Sequence, residues 1–166
     1  MSEQNTFNGG STLHGGVLMP HGDSVAAKNA VQEVPPPSMS TAAPEEMKVY
    51  SPKAAVDMST LVSLGTPDAL GGQVLSGQPE IFGRVDFQQG NLLGGLFMAT
   101  TGLIRVTFPF TEHATILEGE VTLTDATGKT QTLRPGDSYI IRQGQVILWD
   151  VKGKHVIKSF FNYTER

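Results

Sequence analysis

The chain has 166 residues, no cysteine, 39% hydrophobic and 17% charged residues, and a formal net charge of −4. That length predicts one domain, and the absence of cysteine excludes a disulfide-stapled secreted domain, a zinc–thiolate site and a cysteine nucleophile. The acidic balance argues against a nucleic-acid partner, which calls for a basic patch.

In chain order, residues 1–45 read as a disordered arm. They hold one aromatic residue, Phe7, and one basic residue, Lys28, against Glu3, Asp23, Glu33 and Glu45. Gly9-Gly10, Gly15-Gly16 and the run Pro35-Pro36-Pro37 complete the pattern. Such a stretch cannot bury enough apolar surface to offset its chain entropy. Its one apolar island, Val17-Leu18-Met19, offers a docking element for a protein partner. The first residues have neither the basic head nor the apolar core of a signal peptide, and no apolar run is long enough to span a bilayer. The expected setting is therefore cytoplasmic, with no membrane partner.

Residues 46–69 read as a linker with a short helix. Ser51 is a good N-cap and Pro52 suits the first helical position. Met58, Leu61 and Val62 recur at helical spacing, and Gly65 is a stop signal. From residue 70 onward the pattern turns to short β-rich runs. They are Gln73–Leu75, Ile81–Val85, Leu92–Ala99, Leu103–Phe108, Ala114–Leu117, Glu120–Thr124, Thr130–Leu133, Ser138–Ile141, Val146–Val151 and Val156–Asn162. Asp125-Ala126-Thr127-Gly128 reads as a hairpin turn and Pro135-Gly136-Asp137 as a second turn. Regular short strands with turn signals predict an all-β sandwich or barrel over 70–166. There is no β-α-β rhythm, no phosphate-binding glycine loop and no nucleophile elbow.

Three features within this region carry a family resemblance. The first is Glu112-His113 followed by Ile116-Leu117-Glu118-Gly119-Glu120-Val121. The second is Pro135-Gly136-Asp137, and the third is Gly144 followed by Trp149 and Lys158. Together they resemble the cupin superfamily. The nearest branch is the domain found in (S)-ureidoglycine aminohydrolase and in an ethanolamine-utilisation accessory protein. The resemblance covers roughly residues 75–162. It implies a single antiparallel jelly-roll barrel, commonly a homodimer.

Metal-binding cupins set two histidines just before the motif glutamate and a third in the second motif. In this sequence those positions hold Val106 and Phe108, or Arg105 and Thr107 in the other register, and Ile147. Only Glu112 is retained, and one carboxylate does not make a transition-metal site. No metal cofactor is expected, and the metal ligands of the aminohydrolase cannot be placed. His113 points away from Glu112 if the segment is a strand, and His14, His21 and His155 read as surface residues.

Glu112 is the candidate catalytic residue, because a buried carboxylate can serve as a general acid or base. The bland reading is an ion pair with Arg105 or Lys158. Arg105, Tyr139, Trp149 and Lys158 are the candidate ligand-binding residues. Arg105 can offer a fork to a ligand carboxylate, and Tyr139 and Trp149 can form amphipathic walls. The expected function is a metal-independent, small-molecule-binding cupin that acts on a small nitrogenous metabolite by proton transfer or hydrolysis. The alternative is a non-catalytic accessory or assembly module whose arm docks onto a partner.

Overall fold

Alternating apolar residues separated by glycine-bearing turns build nine strands in the computed structural model, which describes residues 45–165. The expected arm falls outside these residues, except Glu45, as do His14 and His21. The strands are β1 (Val62–Gly65), β2 (Gly72–Gly77), β3 (Ile81–Gln89), β4 (Leu92–Thr107), β5 (Thr111–Gly119), β6 (Val121–Asp125), β7 (Thr130–Leu133), β8 (Ser138–Ile141) and β9 (Val146–Tyr163). Every pairing is antiparallel. Among the described residues no helix is long and apolar enough to cross a membrane.

The predicted breaks at Thr100–Gly102 and Lys152–His155 do not end strands. They bend two long ones. β4 and β9 pair along almost their whole length, with a register shift between Thr100 and Gly102. Before the shift, β4 also pairs with β3 and the far half of β9 with β5. After it, β4 pairs with β2 and the near half of β9 with β6. The two long strands thus pass from one layer into the other: β1-β3-β4-β9-β5-β8 on one side, β2-β4-β9-β6-β7 on the other. This is the jelly-roll solution to unpaired strand edges.

Close approach at the bend depends on missing side chains. A Cβ at Gly102 would lie 2.8 Å from Pro79, and one at Gly119 would lie 2.1 Å from the carbonyl oxygen of His155. Gly119 also has a φ of +78°, which favours glycine. In the turn before β8, Asp137 accepts a hydrogen bond from the backbone N–H of Arg134 at 2.8 Å, as its sequence context predicted.

Two apolar clusters hold the sheets. The larger lies between the layers and includes Ile104, Phe108, Ile116, Val121, Trp149 and Val156. The smaller lies on the outer face, where Leu96, Met98, Leu117 and Ile157 receive Leu61 with Tyr50 and Val56. Residues 46–69, read from the sequence as a linker, therefore belong to the packed structure. The predicted helix is present only as single 3-10 turns at Met58–Thr60 and Pro67–Leu70. Asp57, not Ser51, caps the first, accepting from the N–H of Ser59 at 3.0 Å. Val62 turns away from helical geometry because it pairs with Gly83 of β3.

Candidate functional site

Residues on a strand alternate between its faces. On β5, Glu112, Ala114 and Ile116 are buried while His113 is exposed. On β9, Lys158 and Asn162 are buried and Phe160 is half-buried, while Phe161 is exposed. The register sets Glu112 opposite Asn162, and Ala114 opposite both Phe160 and Tyr139. The small side chain of Ala114 leaves room between Glu112 and Ile116, and the long side chain of Lys158 reaches along β5 to the carboxylate.

The result is a buried three-member cluster. Lys158 Nζ donates to Glu112 Oε1 at 2.5 Å and to the Tyr139 hydroxyl at 2.9 Å. The Tyr139 hydroxyl in turn donates to the same Glu112 Oε1 at 2.7 Å. Both donors meet one oxygen. Among the described residues, no hydrogen bond reaches Oε2. Glu112 is 2% exposed and Lys158 5% exposed, so the pair has little access to water. Three aromatic rings surround the ammonium: Trp149 at 4.8 Å, Phe97 at 5.0 Å and Tyr139 at 5.6 Å from ring centre to Nζ. Tyr139 and Trp149 also meet edge to face at 6.2 Å.

Burial shapes the protonation of the cluster. It pushes the Lys158 ammonium below its usual range, against the opposing pull of Glu112. It pushes the Tyr139 phenol well above its usual range, and the neighbouring negative charge of Glu112 adds to this. The tyrosine thus holds its proton as a donor, and the lysine is easier to neutralise than a surface lysine.

Glu112 and Lys158, with Trp149 beside them, form one wall of a cavity of about 750 Å³, a volume suited to a small organic molecule, and Tyr139 is not among its lining residues. Ile104, Val106, Phe108 and Phe110 make much of the rest of its lining. Val62, Leu64 and Leu70 stand at its exposed side. Trp149 and Asn162 also line it, and the indole Nε1 and the amide Oδ1 are buried without a hydrogen-bond partner among the described residues. An unpaired buried donor or acceptor costs about 1–3 kcal/mol.

Four of the five sequence candidates therefore converge. Glu112, Tyr139 and Lys158 bond to one another, and Trp149 stacks beside them. Arg105 does not join them. It is exposed on β4 between the inward-facing Ile104 and Val106. The ion pair weighed for Glu112 is made with Lys158. Sequence reasoning missed Phe97 and Asn162. The signal for Asn162 was available, since it follows Lys158 and Phe160 at the two-residue period of one strand face.

The donor set does not fit a transition metal. Val106, Phe108 and Ile147, at the family's histidine positions, are apolar and in or against the inner cluster. Glu112, the one carboxylate, faces an ammonium at 2.5 Å, which a cation would have to displace. Among the described residues no group of three or more His, Cys, Asp or Glu is placed to hold a metal.

Two antiparallel layers joined by bent long strands around an interior pocket give the chain a cupin fold. Residues 88–160 match the family model described as the EutQ-like cupin domain. Among solved structures, the EutQ protein of Clostridium difficile is similar at 16% identity and a TM-score of 0.50, covering 68% of this chain and 82% of that one. A protein of unknown function from Pseudomonas syringae pv. tomato is similar at 21% identity and a TM-score of 0.56. That match covers 68% of this chain and 46% of the other, so the present chain spans less than half of that protein. No curated protein matches the sequence.

Proposed function

We propose that the protein binds a small, largely apolar organic molecule inside its barrel, without a metal, and presents the molecule's polar group to Glu112 and Lys158. The observation that carries this reading is the placement of the only fully buried ion pair, among the described residues, at the wall of a largely apolar cavity. A buried carboxylate–ammonium pair contributes little net stability compared with well-packed apolar residues. Its position at a cavity gives it a use. Glu112 Oε2 can accept from a ligand and Lys158 can donate, so the pair can move a proton in either direction. The amine- and amide-bearing metabolites expected from the family resemblance fit this chemistry. The aminohydrolase reaction itself is not carried over, because the residues at its metal positions differ.

Trp149 is the sole tryptophan of the chain and lies in the cavity wall, so its emission reports on the occupied barrel. Titration with a panel of small carbonyl, amide and amine compounds is expected to give saturable quenching that weakens in Glu112→Gln. Emission unchanged by the whole panel would reject the reading.

A second reading, an accessory module or homodimer, draws on the outer face. Ile140, His113 and Phe161 are cross-strand neighbours on β8, β5 and β9, and Phe161 stacks on Phe87 at 6.0 Å. Ile140 is 69% exposed. Light scattering on wild type and Ile140→Glu separates the cases: a dimer through this face becomes monomeric in the variant.

A further inference from the structure

We propose that Lys158 is an imine-forming lysine, and that the barrel takes aldehydes or ketones with an apolar substituent. This inference rests on the reading of the cavity as a ligand site and adds the ligand's class and the bond it makes.

Three observations lead there. First, Lys158 is the one lysine, among the described residues, that lines the cavity. The other lysines among the described residues, Lys48, Lys53, Lys129, Lys152 and Lys154, are exposed. A solvated ammonium is a poor nucleophile, and a desolvated one releases its proton more readily. Burial acts on Lys158 in that sense. Second, the group that can take the proton is already in place. Glu112 Oε1 accepts from Nζ at 2.5 Å, and Tyr139 stands within hydrogen-bond reach of both. Third, the surroundings suit the product as well as the starting amine. An imine formed at Nζ and protonated carries the same single positive charge as the ammonium. It keeps Glu112 as its counter-ion, and the rings of Phe97 and Trp149 still flank it.

The steps balance without a further reactant. Glu112 takes one proton from the ammonium. The free amine attacks the carbonyl carbon, forming the C–N bond as the C=O π pair moves to oxygen. Glu112 returns its proton to that oxygen, giving the carbinolamine. A second proton passes from nitrogen through Glu112 to the hydroxyl, the C–O bond breaks, and water leaves. The net change is ammonium plus carbonyl compound to iminium plus water, with charge conserved and Glu112 ionised again. Tyr139 holds the Glu112 carboxylate in place through its hydrogen bond to Oε1. The apolar walls favour carbonyl compounds with a hydrocarbon tail over sugars.

The test uses the full chain with hexanal or benzaldehyde, and sodium cyanoborohydride to reduce any imine to a stable amine. Peptide mapping then gives the rate of alkylation at each lysine. Lys158 is expected to be modified about tenfold faster than any surface lysine, with Glu112→Gln abolishing the advantage. Lys158→Arg keeps the charge beside Glu112 but has no nucleophilic amine. It is expected to give no rapid adduct at position 158. If Lys158 reacts no faster than surface lysines while Trp149 still reports binding, the imine proposal fails and the cavity reading stands. If no compound quenches Trp149, both fail.

Discussion

The molecule contains the same trio of groups twice, a carboxylate, a cation and a phenol, once on the outer face and once inside. Outside, Asp86 accepts two hydrogen bonds from Arg84, at 2.8 and 3.0 Å, and one from the Tyr50 hydroxyl at 2.9 Å. Inside, Glu112 accepts from Lys158 and Tyr139. The outer trio uses both carboxylate oxygens, since Arg84 meets Oδ1 and Oδ2 in the planar fork that guanidinium allows. The inner trio converges on one oxygen and leaves the other to the cavity. The outer pair is partly solvated, with Arg84 33% and Asp86 10% exposed, whereas Lys158 and Glu112 are 6% and 2% exposed by side chain. A trio with both carboxylate oxygens engaged fastens the segment around Tyr50 to the sheet. One with an open acceptor, in low dielectric, is equipped to meet a ligand.

The comparison is broken most severely from the inside. Glu112→Ala leaves the Lys158 ammonium buried without a counter-charge, which is expected to cost about 3–5 kcal/mol of unfolding free energy. Urea denaturation measures it. The double variant Glu112→Gln/Lys158→Met removes both charges and is expected to recover most of that loss. A double variant as unstable as the single one would mean the pair holds the barrel together and is not kept for its chemistry.

The matching change outside is smaller. Asp86→Ala releases Arg84 into solvent, and a partly exposed pair of this kind contributes about 1 kcal/mol. Denaturation of this variant beside Glu112→Ala tests whether burial, and not the identity of the three groups, sets the difference. Equal losses would contradict it.

Acid sharpens the same contrast. Burial opposes ionisation of Asp86, but the hydrogen bonds from Arg84 and Tyr50 outweigh it and hold the carboxyl below its ordinary value of 3.8. Its folded value lies below its unfolded one, so its contribution is present above the unfolded value and lost as pH falls through the folded one. In alkali the phenol of Tyr50, pushed up to about 12 from 10.0 by burial and by Asp86, contributes stability below pH 10.0 that is lost as pH rises toward 12. Wild type and Tyr50→Phe are thus expected to differ most near neutrality and to converge above pH 12. A constant difference across that window would remove the hydrogen bond to Asp86 from the account.

Much of this was legible in the sequence, and the exceptions share a cause. Strand runs, both turns and the barrel class follow from alternation and turn residues. β1 does not, because Val62–Gly65 is exposed at every position and shows no alternation. Glu112, Tyr139, Trp149 and Lys158 were each recognisable as candidates. Their meeting was not, because it joins residues 27 and 46 positions apart through the register of three strands. Phe97 was missed for the same reason: only the pairing of β4 with β9 sets it opposite Lys158. The cavity itself leaves no local trace, since it is the space that two layers fail to fill.

Arg105 gives the finest test of that argument. Its residue type made it a reasonable anion-binding candidate, yet strand period outranks residue type. With Ile104 and Val106 turned inward, Arg105 is directed outward, opposite Gln73 on β2 and Leu148 on β9. Arg105→Gln is expected to change stability by no more than about 0.5 kcal/mol, as for an ordinary surface site. It is also expected to leave the ligand concentration at half-quenching of Trp149 unchanged, where Glu112→Gln raises it. A large loss of binding in Arg105→Gln would mean that a ligand reaches around the edge of β2 to the outer face. The site would then be drawn too small, and charge at the rim would have to share the recognition now assigned to the buried trio.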